Sequence, residues 1–494
     1  MSLLLSRRQR APLALALTLL VAACASTRGL EPQAQLLDAD SLAASRSLGA
    51  ASDAGFPQRD WWKSLGDARL DALIEEALAG TPSLDAADAR VRQAIAQAGL
   101  ADAARKPTLG ATAQYSGVQI PETVARPPLG GDYLGVTLLG LQFNYSPDLW
   151  GGDRARAQAA LGQARAAEVD AQAARLMLSS NIARAYVALA QAYQSADIAH
   201  ADAQRAAQLL DLGRQRVSAG IDNQLQIRNA ETAVATAQLQ EQAAQQQIDA
   251  TRNAIAALLG KGPDRGLNID KPLLLSAPAP GIPAVVPSDL LGHRPDVVAA
   301  RWRVESARQG IKASKADFYP SVNLTALVGL AAGNLSELFS SDALLAVGGP
   351  AISLPIFDGG RLRNNLAKSD ADYDLAVAGY NQSLVGALRE VTDALQAARS
   401  LDAQIASAVR ARESALAAWQ IATERYKAGL GTQIDVLTVQ RPLLQLDQQL
   451  AALRAQRVSA SIDLDRALGG GLDVAPPQSA DQQVTNDITR APTP

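Results

Sequence analysis

Few side chains in this sequence have the types and spacing that catalysis or metal binding requires. The two histidines, His200 and His293, lie far apart and have no cysteine partners, so neither shows metal-ligand spacing. The adjacent carboxylates Glu75 and Glu76 fall in an amphipathic helical pattern, where solvation is their usual explanation. The pair Gly359-Gly360 fits a helix boundary better than a phosphate-binding loop. We therefore predict no enzyme activity, no metal site and no cofactor beyond a covalent lipid.

The residue with the clearest chemical role is the single cysteine, Cys24. It follows a basic N-terminus and the apolar run Ala11–Ala23, which is shorter than the roughly 20 residues of a membrane-spanning helix. This pattern is typical of a secretory signal, and Val21-Ala22-Ala23-Cys24 has the spacing of a bacterial lipobox. We predict cleavage of residues 1–23 and attachment of N-acyl and S-diacylglycerol lipid to Cys24. An ordinary signal peptide with a chance cysteine is the alternative.

The composition indicates a folded, mostly helical protein and argues against nucleic-acid binding. The 494 residues are 48% hydrophobic but only 4% aromatic, and much of the apolar content is alanine, a strong helix former. The net charge of -3 gives no basic excess that could bind phosphate backbones. With a single cysteine, the chain has no internal disulfide.

Paired motifs recur at a nearly constant spacing along the chain, which indicates an internal duplication. The spacing is 213 positions before the second strand of each copy and 208 or 209 after it, so an insertion separates two otherwise similar copies. The pairs are Thr81-Pro82 with Arg294-Pro295, Lys106-Pro107 with Tyr319-Pro320, Pro147 with Pro355, Val217-Ser218-Ala219-Gly220 with Tyr426-Lys427-Ala428-Gly429, and Leu259-Gly260 with Leu468-Gly469. We expect the two copies to share one fold.

Each copy is predicted to contain one helix, two strands and then two longer helices. In the first repeat, residues 61–260, these are helix 82–104, strands 108–117 and 134–146, and helices 153–217 and 222–259. In the second repeat, residues 291–471, they are helix 295–317, strands 321–330 and 344–354, and helices 361–427 and 432–468. We assign residues 24–60 to a lipid-anchored N-terminal segment, 261–290 to a proline-rich linker and 472–494 to a disordered tail.

The first long helical pattern contains no proline between Asp153 and Arg216. If helical throughout, it would extend about 95 Å at 1.5 Å per residue. Such a length is typical of a coiled coil or a long tube, and its alanine-rich apolar stripe favours close antiparallel helix packing.

The short segments between the helices alternate apolar and polar residues, which is typical of strands with one lipid-facing and one water-facing side. Their apolar positions are Leu109, Ala111, Ala113 and Tyr115; Leu139, Leu141, Phe143 and Tyr145; Val322, Leu324, Ala326 and Val328; and Ile352 and Leu354. A soluble sheet packed on a core is the alternative. Because open edges in lipid leave backbone groups unsatisfied, a four-stranded membrane sheet requires several copies. Two copies would give about eight strands, whereas three would give about twelve and a wider lumen, so we favour a trimer.

Longer motifs resemble those of the TolC superfamily, and more closely those of the NodT/OprM branch of outer-membrane efflux lipoproteins. The matching segments are Leu291–Val297, Ala316–Val322, Pro355–Arg361, Tyr426–Leu437 and Trp61-Trp62. The likeness extends from Cys24 to about Gly471. It implies a mostly α protein with a small β part. In such a protein, duplicated long antiparallel helices form an α-barrel, and four strands per chain contribute to a trimeric, twelve-stranded transmembrane β-barrel.

The resemblance also implies a function. It predicts an outer-membrane exit duct of a tripartite efflux system, lipid-anchored and extending into the periplasm, that passively conducts drugs, toxic compounds or metal ions. The expected partners are a periplasmic adaptor protein, an inner-membrane pump of the RND type, outer-membrane lipid and the other copies of a homotrimer. Two alternatives stay open: an exit duct for type I protein secretion, and a periplasmic coiled-coil adaptor or scaffold lipoprotein.

The turns of the two long hairpins are the predicted adaptor-contact sites. Their residues are Val217, Ser218 and Gly220 in the first repeat and Tyr426, Lys427 and Gly429 in the second. Glycine allows the left-handed geometry that reverses a helix, so simple hairpin chemistry is the alternative reason for these residues.

The resemblance further implies a periplasmic gate, because acidic residues just past the second turn form a narrowing ring in the family. Asp435 occupies the matching position, nine residues after Tyr426, and Thr438 stands where a second acid can occur. Three ionised carboxylates in a trimer would repel one another and attract cations. Gly431 replaces a basic partner, so a tightly salt-bridged closed state is not expected. The alternative is that Asp435 is a solvated acid on a helix surface.

Overall fold

The computed structural model describes residues 27, 29–38, 41–42, 56–121, 123–124, 131, 133–273 and 292–471. The predicted signal peptide, Cys24, residues 274–290 of the predicted linker and the predicted tail lie outside the described residues. The described chain is mostly helical with one four-stranded sheet. None of its described helices combines the length and the apolar character needed to cross a bilayer.

Each repeat contains a helix, a β-hairpin and two long helices. In the part of the chain that the structure describes, a 3-10 turn (Trp61–Leu65) and α1 (Ala68–Ala79) precede the other elements of the first repeat. The rest of the first repeat consists of α2 (Pro82–Ala103), β1 (Thr108–Gln119), β2 (Tyr133–Tyr145), α3 (Gly152–Ser218) and α4 (Gln224–Leu258). The second consists of α5 (Pro295–Ala316), β3 (Ser321–Ala332), β4 (Leu344–Ser353), α6 (Arg361–Lys427) and α7 (Gln433–Ala467).

The observed bounds differ from the predicted ones by up to two residues, for local reasons. The pairing of Gln119 with Tyr133 lengthens β1 beyond the predicted residue 117. Helix α4 begins at Gln224 rather than 222, because the Asn223 side chain caps it by accepting the Leu225 N–H at 3.0 Å. Helix α1 and the single helical turn Asp264–Leu267 within the predicted linker were not predicted from the sequence.

The four strands form one antiparallel sheet in the order β1-β2-β3-β4. The register aligns the predicted apolar positions, because Leu109 pairs with Phe143, Phe143 with Ala326, and Val322 with Ile352. The predicted position Leu354 is an exception, because β4 ends at Ser353. Alternate residues of a strand point to the same face, so one face of this sheet is predominantly apolar. Within the described residues, the outer edges of β1 and β4 have no strand partner.

The chain divides into two compact units, and the first contains the sheet. This unit comprises residues 1–36, 91–167 and 300–380. Helices α3 and α5 approach closely within it: Ser306 Oγ donates to the Ala159 carbonyl at 2.7 Å, and a Cβ at Gly162 would lie 3.0 Å from that of Ser306. An apolar cluster of α5, its C-terminal flank and α6 contains Ile311, Phe318, Leu362 and Leu366.

The second unit comprises residues 37–90, 168–299 and 381–494. Its apolar core includes the fully buried side chains of Leu70, Ile74, Tyr186, Ile255 and Ile462. Within this unit the buried Arg294 pairs with Asp296 at 2.6 Å and Glu390 at 3.1 Å, and donates to the Ala467 carbonyl at 2.8 Å. This guanidinium ties the start of α5 to α6 and to the end of α7.

Candidate gate and hairpin tips

Both long helix hairpins reverse at a glycine with a left-handed backbone. Helix α3 is followed by Gly220 at φ 69°, and α6 by Gly429 at φ 71°. At the first turn, the Ile221 N–H donates to the Arg216 carbonyl at 2.9 Å and the Gly220 N–H to the Val217 carbonyl at 3.0 Å. The second turn has the same two bonds at the same distances. They form a Schellman motif, which satisfies the last carbonyls of each helix.

The first tip, residues 216–223, is closed by an ion pair across the turn. Arg216 Nε donates to the Asp222 carboxylate at 2.6 Å. This hydrogen bond is the main reason that the pKa of Asp222 is lowered and that of Arg216 is raised. Of the predicted contact residues, Val217 is half-buried, and Ser218 and Gly220 are exposed.

At the second tip, residues 425–432, the predicted contact residues Tyr426, Lys427 and Gly429 are all exposed. Tyr426 Oη donates to the Gln433 side chain at 3.4 Å, and Lys427 pairs with Glu424 at 2.9 Å. These contacts are local to the turn, so they leave the outer surface of the tip accessible.

Each tip also presents a large apolar residue that the sequence analysis missed. Ile221 is 63% exposed and Leu430 is 70% exposed. Each directly follows the reversing glycine, where an apolar side chain commonly packs back against its own helix. The position directly after each reversing glycine is therefore a sequence signal that could have identified Ile221 and Leu430.

Asp435 lies in the first turn of α7 and forms a capping box with Thr432. Its carboxylate accepts the Thr432 N–H at 2.8 Å and the Thr432 hydroxyl at 2.7 Å, while Thr432 Oγ accepts the Asp435 N–H at 3.2 Å. The hydrogen bonds from Thr432 hold the pKa of Asp435 below its ordinary value, so the carboxylate is ionised at neutral pH. Thr438 is exposed one turn further along the same side of α7.

Helix α7 contains Pro442 beyond these residues, and a buried arginine from the first hairpin contacts it. Proline lacks an N–H, and its ring crowds the carbonyl four residues earlier, so the helix is weakened there. Arg205 on α3 is 7% exposed, pairs with Asp202 at 2.7 Å and donates to the Leu437 carbonyl at 3.4 Å. This link was not predicted from the sequence, because its ends are 232 positions apart.

The two histidines make structural contacts. His200 Nδ1 lies 2.6 Å from Glu241 and its Nε2 lies 2.8 Å from Gln204. The His293 ring stacks on Phe56 with centroids 3.9 Å apart. In the part of the chain that the structure describes, no cluster of three or more potential metal ligands is found.

Comparison with known proteins decides the family. The sequence model of the outer membrane efflux protein family matches residues 73–261 and 286–470, one stretch in each repeat. This chain belongs to that family. Its duplicated helices and four-stranded sheet are those of the TolC superfamily, as the motifs predicted.

Named relatives agree with this assignment. The efflux protein is 40% identical over 366 residues to the fusaric acid resistance protein FusA of Burkholderia cepacia, covering 72% of this chain and 68% of that protein. It is 31% identical over 474 residues to the multidrug resistance outer membrane protein MdtP of Shigella flexneri, covering 93% and 96%. The crystal structure of the outer membrane protein VceC of Vibrio cholerae matches with a TM-score of 0.75 and 37% identity, covering 85% of this chain and 100% of that one.

The family confirms the predicted location and general role. This chain is an outer-membrane component of an efflux system. The same assignment argues against the alternative of a periplasmic adaptor or scaffold, because the family match includes both repeats.

Proposed function

We propose that three copies of this efflux protein form one passive exit duct across the outer membrane. The observation that supports this most directly is the sheet, which has one apolar face and, within the described residues, unpaired edges at β1 and β4. In a bilayer those edge groups must pair with other strands, so further copies are required. Three copies supply about twelve strands, enough for a water-filled lumen. The chain performs no chemistry of its own in this role.

Native electrophoresis combined with membrane fractionation tests the duct. We expect a heat-labile trimer in the outer-membrane fraction, and discrete ion conductance when that trimer is inserted into a planar bilayer. A water-soluble monomer would refute the proposal, because the apolar sheet face would then have to be covered within one chain.

We infer that the duct receives small molecules, such as drugs, toxic compounds or metal ions, from an RND-type inner-membrane pump through a periplasmic adaptor. The names of the relatives, which refer to fusaric acid and multidrug resistance, favour small-molecule export over protein secretion. We assign adaptor contact to the two tips. The exposed apolar side chains of Ile221 and Leu430 support this assignment, because they add apolar area to both turns. The contact residues are then Val217, Ser218, Gly220, Ile221, Tyr426, Lys427, Gly429 and Leu430.

We further propose that Asp435 and Thr438 form the periplasmic gate. The lowered pKa keeps the Asp435 carboxylate charged, and the capping box fixes its position at the start of α7. Three such carboxylates around the axis of a trimer repel one another and attract cations.

Asp435→Asn tests the gate, because it removes the charge and keeps an oxygen that can accept from Thr432. We expect a weaker preference for cations and a higher single-channel conductance in planar bilayers. Thr432→Ala is the matched control: it disrupts the capping box but keeps the carboxylate, so cation preference persists. Unchanged selectivity and conductance in Asp435→Asn would mean that the constriction lies elsewhere.

We also propose that Cys24 carries the lipid anchor. This rests on the signal pattern and lipobox, since Cys24 lies outside the described residues. Cys24→Ser should abolish incorporation of radiolabelled palmitate. Continued labelling of that variant would place the acylation on another residue.

A further inference from the structure

A groove in the first unit has a composition that export of small molecules does not explain. It lies between the first turns of α3 and the last turns of α5 and has a volume of about 390 Å³. Three cations line it, Arg154, Lys312 and Lys315, together with the aromatic residues Trp150 and Tyr319. We call the site of these three cations the basic groove.

The cations of the basic groove are not neutralised by ion pairs. Within the described residues, none of the three has a carboxylate partner at ion-pair distance. The neighbouring Arg156 differs, because it is bound both by Asp153, at 2.5 Å, and by Asp317. Arg156 is thus fully paired, whereas the three cations of the basic groove can bind an anion.

Two carboxylates lie near the basic groove without closing it. The Asp148 carboxylate accepts a hydrogen bond of 2.7 Å from the backbone N–H of Arg154 at the start of α3, rather than from the Arg154 side chain. Asp370 interacts electrostatically with Lys315, but burial raises the pKa of Asp370, and neither of its oxygens has a hydrogen-bond partner among the described residues. The groove therefore stays positively charged.

The aromatic pair beside the cations is typical of a membrane boundary. The rings of Trp150 and Tyr319 stack with centroids 4.8 Å apart, and both residues are about half exposed. Trp150 Nε1 donates to the Pro320 carbonyl at 2.7 Å, which holds the pair at the strand ends. Tryptophan and tyrosine concentrate where lipid meets water. Just beyond them, Tyr145 pairs with Leu324 at the end of the apolar sheet face.

Further copies of the chain would not cover this position through strand pairing. They must join at the edge strands β1 and β4, whereas β2 and β3, which lead to the groove, are already paired on both sides. The duplication does not require these cations either. The positions related to Arg154, Lys312 and Lys315 by the repeat are Leu362, Gly99 and Asp102.

We propose that the basic groove binds the phosphate headgroup of a glycerophospholipid of the outer membrane, with the acyl chains along the apolar face of the sheet. This rests on the proposed function, since it takes that face to contact lipid. Guanidinium and ammonium groups donate charge-assisted hydrogen bonds to phosphate oxygens. Because the stacked aromatic pair lies at the same level, the bound lipid fixes the height of each protomer in the bilayer.

Native mass spectrometry of the purified full-length protein tests this proposal, with phosphatidylglycerol, diacylglycerol of the same chain length and inorganic phosphate as separate probes. The variant R154A/K312A/K315A should bind phosphatidylglycerol at least about tenfold more weakly than the wild type, as expected for the loss of three cations near an anionic headgroup. R228A/K261A/R410A removes the same charge from three exposed positions outside the groove and should bind like the wild type. The charge-preserving variant R154K/K312R/K315R should retain binding.

Three results would overturn the lipid site. These are equal phosphatidylglycerol binding by the alanine variant, equal binding of diacylglycerol and phosphatidylglycerol by the wild type, and occupation of the groove by inorganic phosphate as tightly as by lipid. The last would identify a site for free phosphate. The same spectra report the oligomer: unchanged lipid binding in an intact trimer refutes only this inference, whereas a wild-type protein found only as a monomer refutes the proposed duct.

Discussion

The first and second tips share a backbone turn but carry their acidic residue in different places. In the first tip, Arg216 pairs with Asp222 across the turn. Arg425 is the counterpart of Arg216 in the second repeat, but Gly431 replaces Asp222, and Arg425 donates to the Leu430 carbonyl at 3.1 Å instead. The acid of the second tip is Asp435, which lies within α7 and is hydrogen-bonded by the neutral Thr432.

Because of this difference, the two tips have distinct electrostatic properties, although their hairpins are copies of one another. The carboxylate of the first tip forms an ion pair with a guanidinium, whereas that of the second accepts its hydrogen bonds from uncharged donors and interacts with the Arg425 guanidinium only electrostatically. The Arg216–Asp222 ion pair of the first tip and the Thr432–Asp435 capping box of the second both depend on an ionised aspartate with a lowered pKa. Each is therefore at full strength above the ordinary aspartate pKa of 3.8 and is lost as the pH falls through the lowered value.

The largest effect on stability is expected next to the second tip, where Arg205 of the first hairpin contacts α7. Arg205→Ala leaves Asp202 without its cation and removes the side-chain donor to the Leu437 carbonyl, next to the place where Pro442 weakens the helix. We expect a loss of about 2 kcal/mol in the free energy of unfolding, from breaking a largely buried pair. Chemical denaturation of the purified protein measures it. Arg214→Ala on the same helix, whose side chain is 59% exposed, is the control and should change little; equal losses would contradict the assigned role of Arg205.

A smaller and equal effect is expected at the two reversing glycines. Gly220→Ala and Gly429→Ala each place a side chain at a left-handed backbone position, which costs about 1–2 kcal/mol. Gly213→Ala is the matched control, because that glycine lies inside α3 with open space around it, and alanine should stabilise the helix by up to about 1 kcal/mol. Thermal unfolding midpoints of the three variants give the answer. A marked difference between Gly220→Ala and Gly429→Ala would show that the two turns are not equivalent.

The smallest expected effect is a difference in salt response between the Arg216–Asp222 ion pair and the Thr432–Asp435 capping box. Raising the ionic strength from about 0.05 M to about 1 M partly screens the half-buried Arg216–Asp222 pair, whereas the hydrogen bonds of the Thr432–Asp435 box are short-ranged and less sensitive. Hydrogen–deuterium exchange followed by mass spectrometry should therefore show faster exchange at residues 217–223 in high salt and little change at 426–436. Equal acceleration at both tips would mean that the ion pair does not distinguish them.

The duplication was the most informative feature of the sequence. It placed both hairpin turns correctly, because Gly220 and Gly429 recur at a fixed spacing and only glycine takes that backbone without strain. The alternation also identified the apolar face of each strand, and the observed register agrees with it, since a slip of one residue would move Leu109 or Phe143 away from that face. The spacing of Thr432 and Asp435 is a capping-box signal that can be read from the sequence, and the structure has that capping box.

Other features could not be predicted because they depend on contacts that are distant in sequence. The helix α1 was missed although Leu70, Leu73 and Ile74 have helical spacing, since the stretch is short and its burial depends on α3 and α4. The basic groove combines residues that are about a third of the chain apart, and Lys312 and Lys315 have the pattern of ordinary solvated lysines until α3 lies beside them.

The sequence by itself determined the elements, their duplication, the apolar face of the strands and the reversal of each hairpin, because periodicity and glycine act locally along the chain. Only the tertiary structure decided which charges are paired and which stay open. Packing sets the distances between helices, and these distances determine that Arg156 pairs with two carboxylates and Arg154 with none. They also determine that Arg205 contacts the Leu437 carbonyl. Electrostatic interactions fall steeply with distance and exposure, so the same residue types acquire different roles only once the helices are in place.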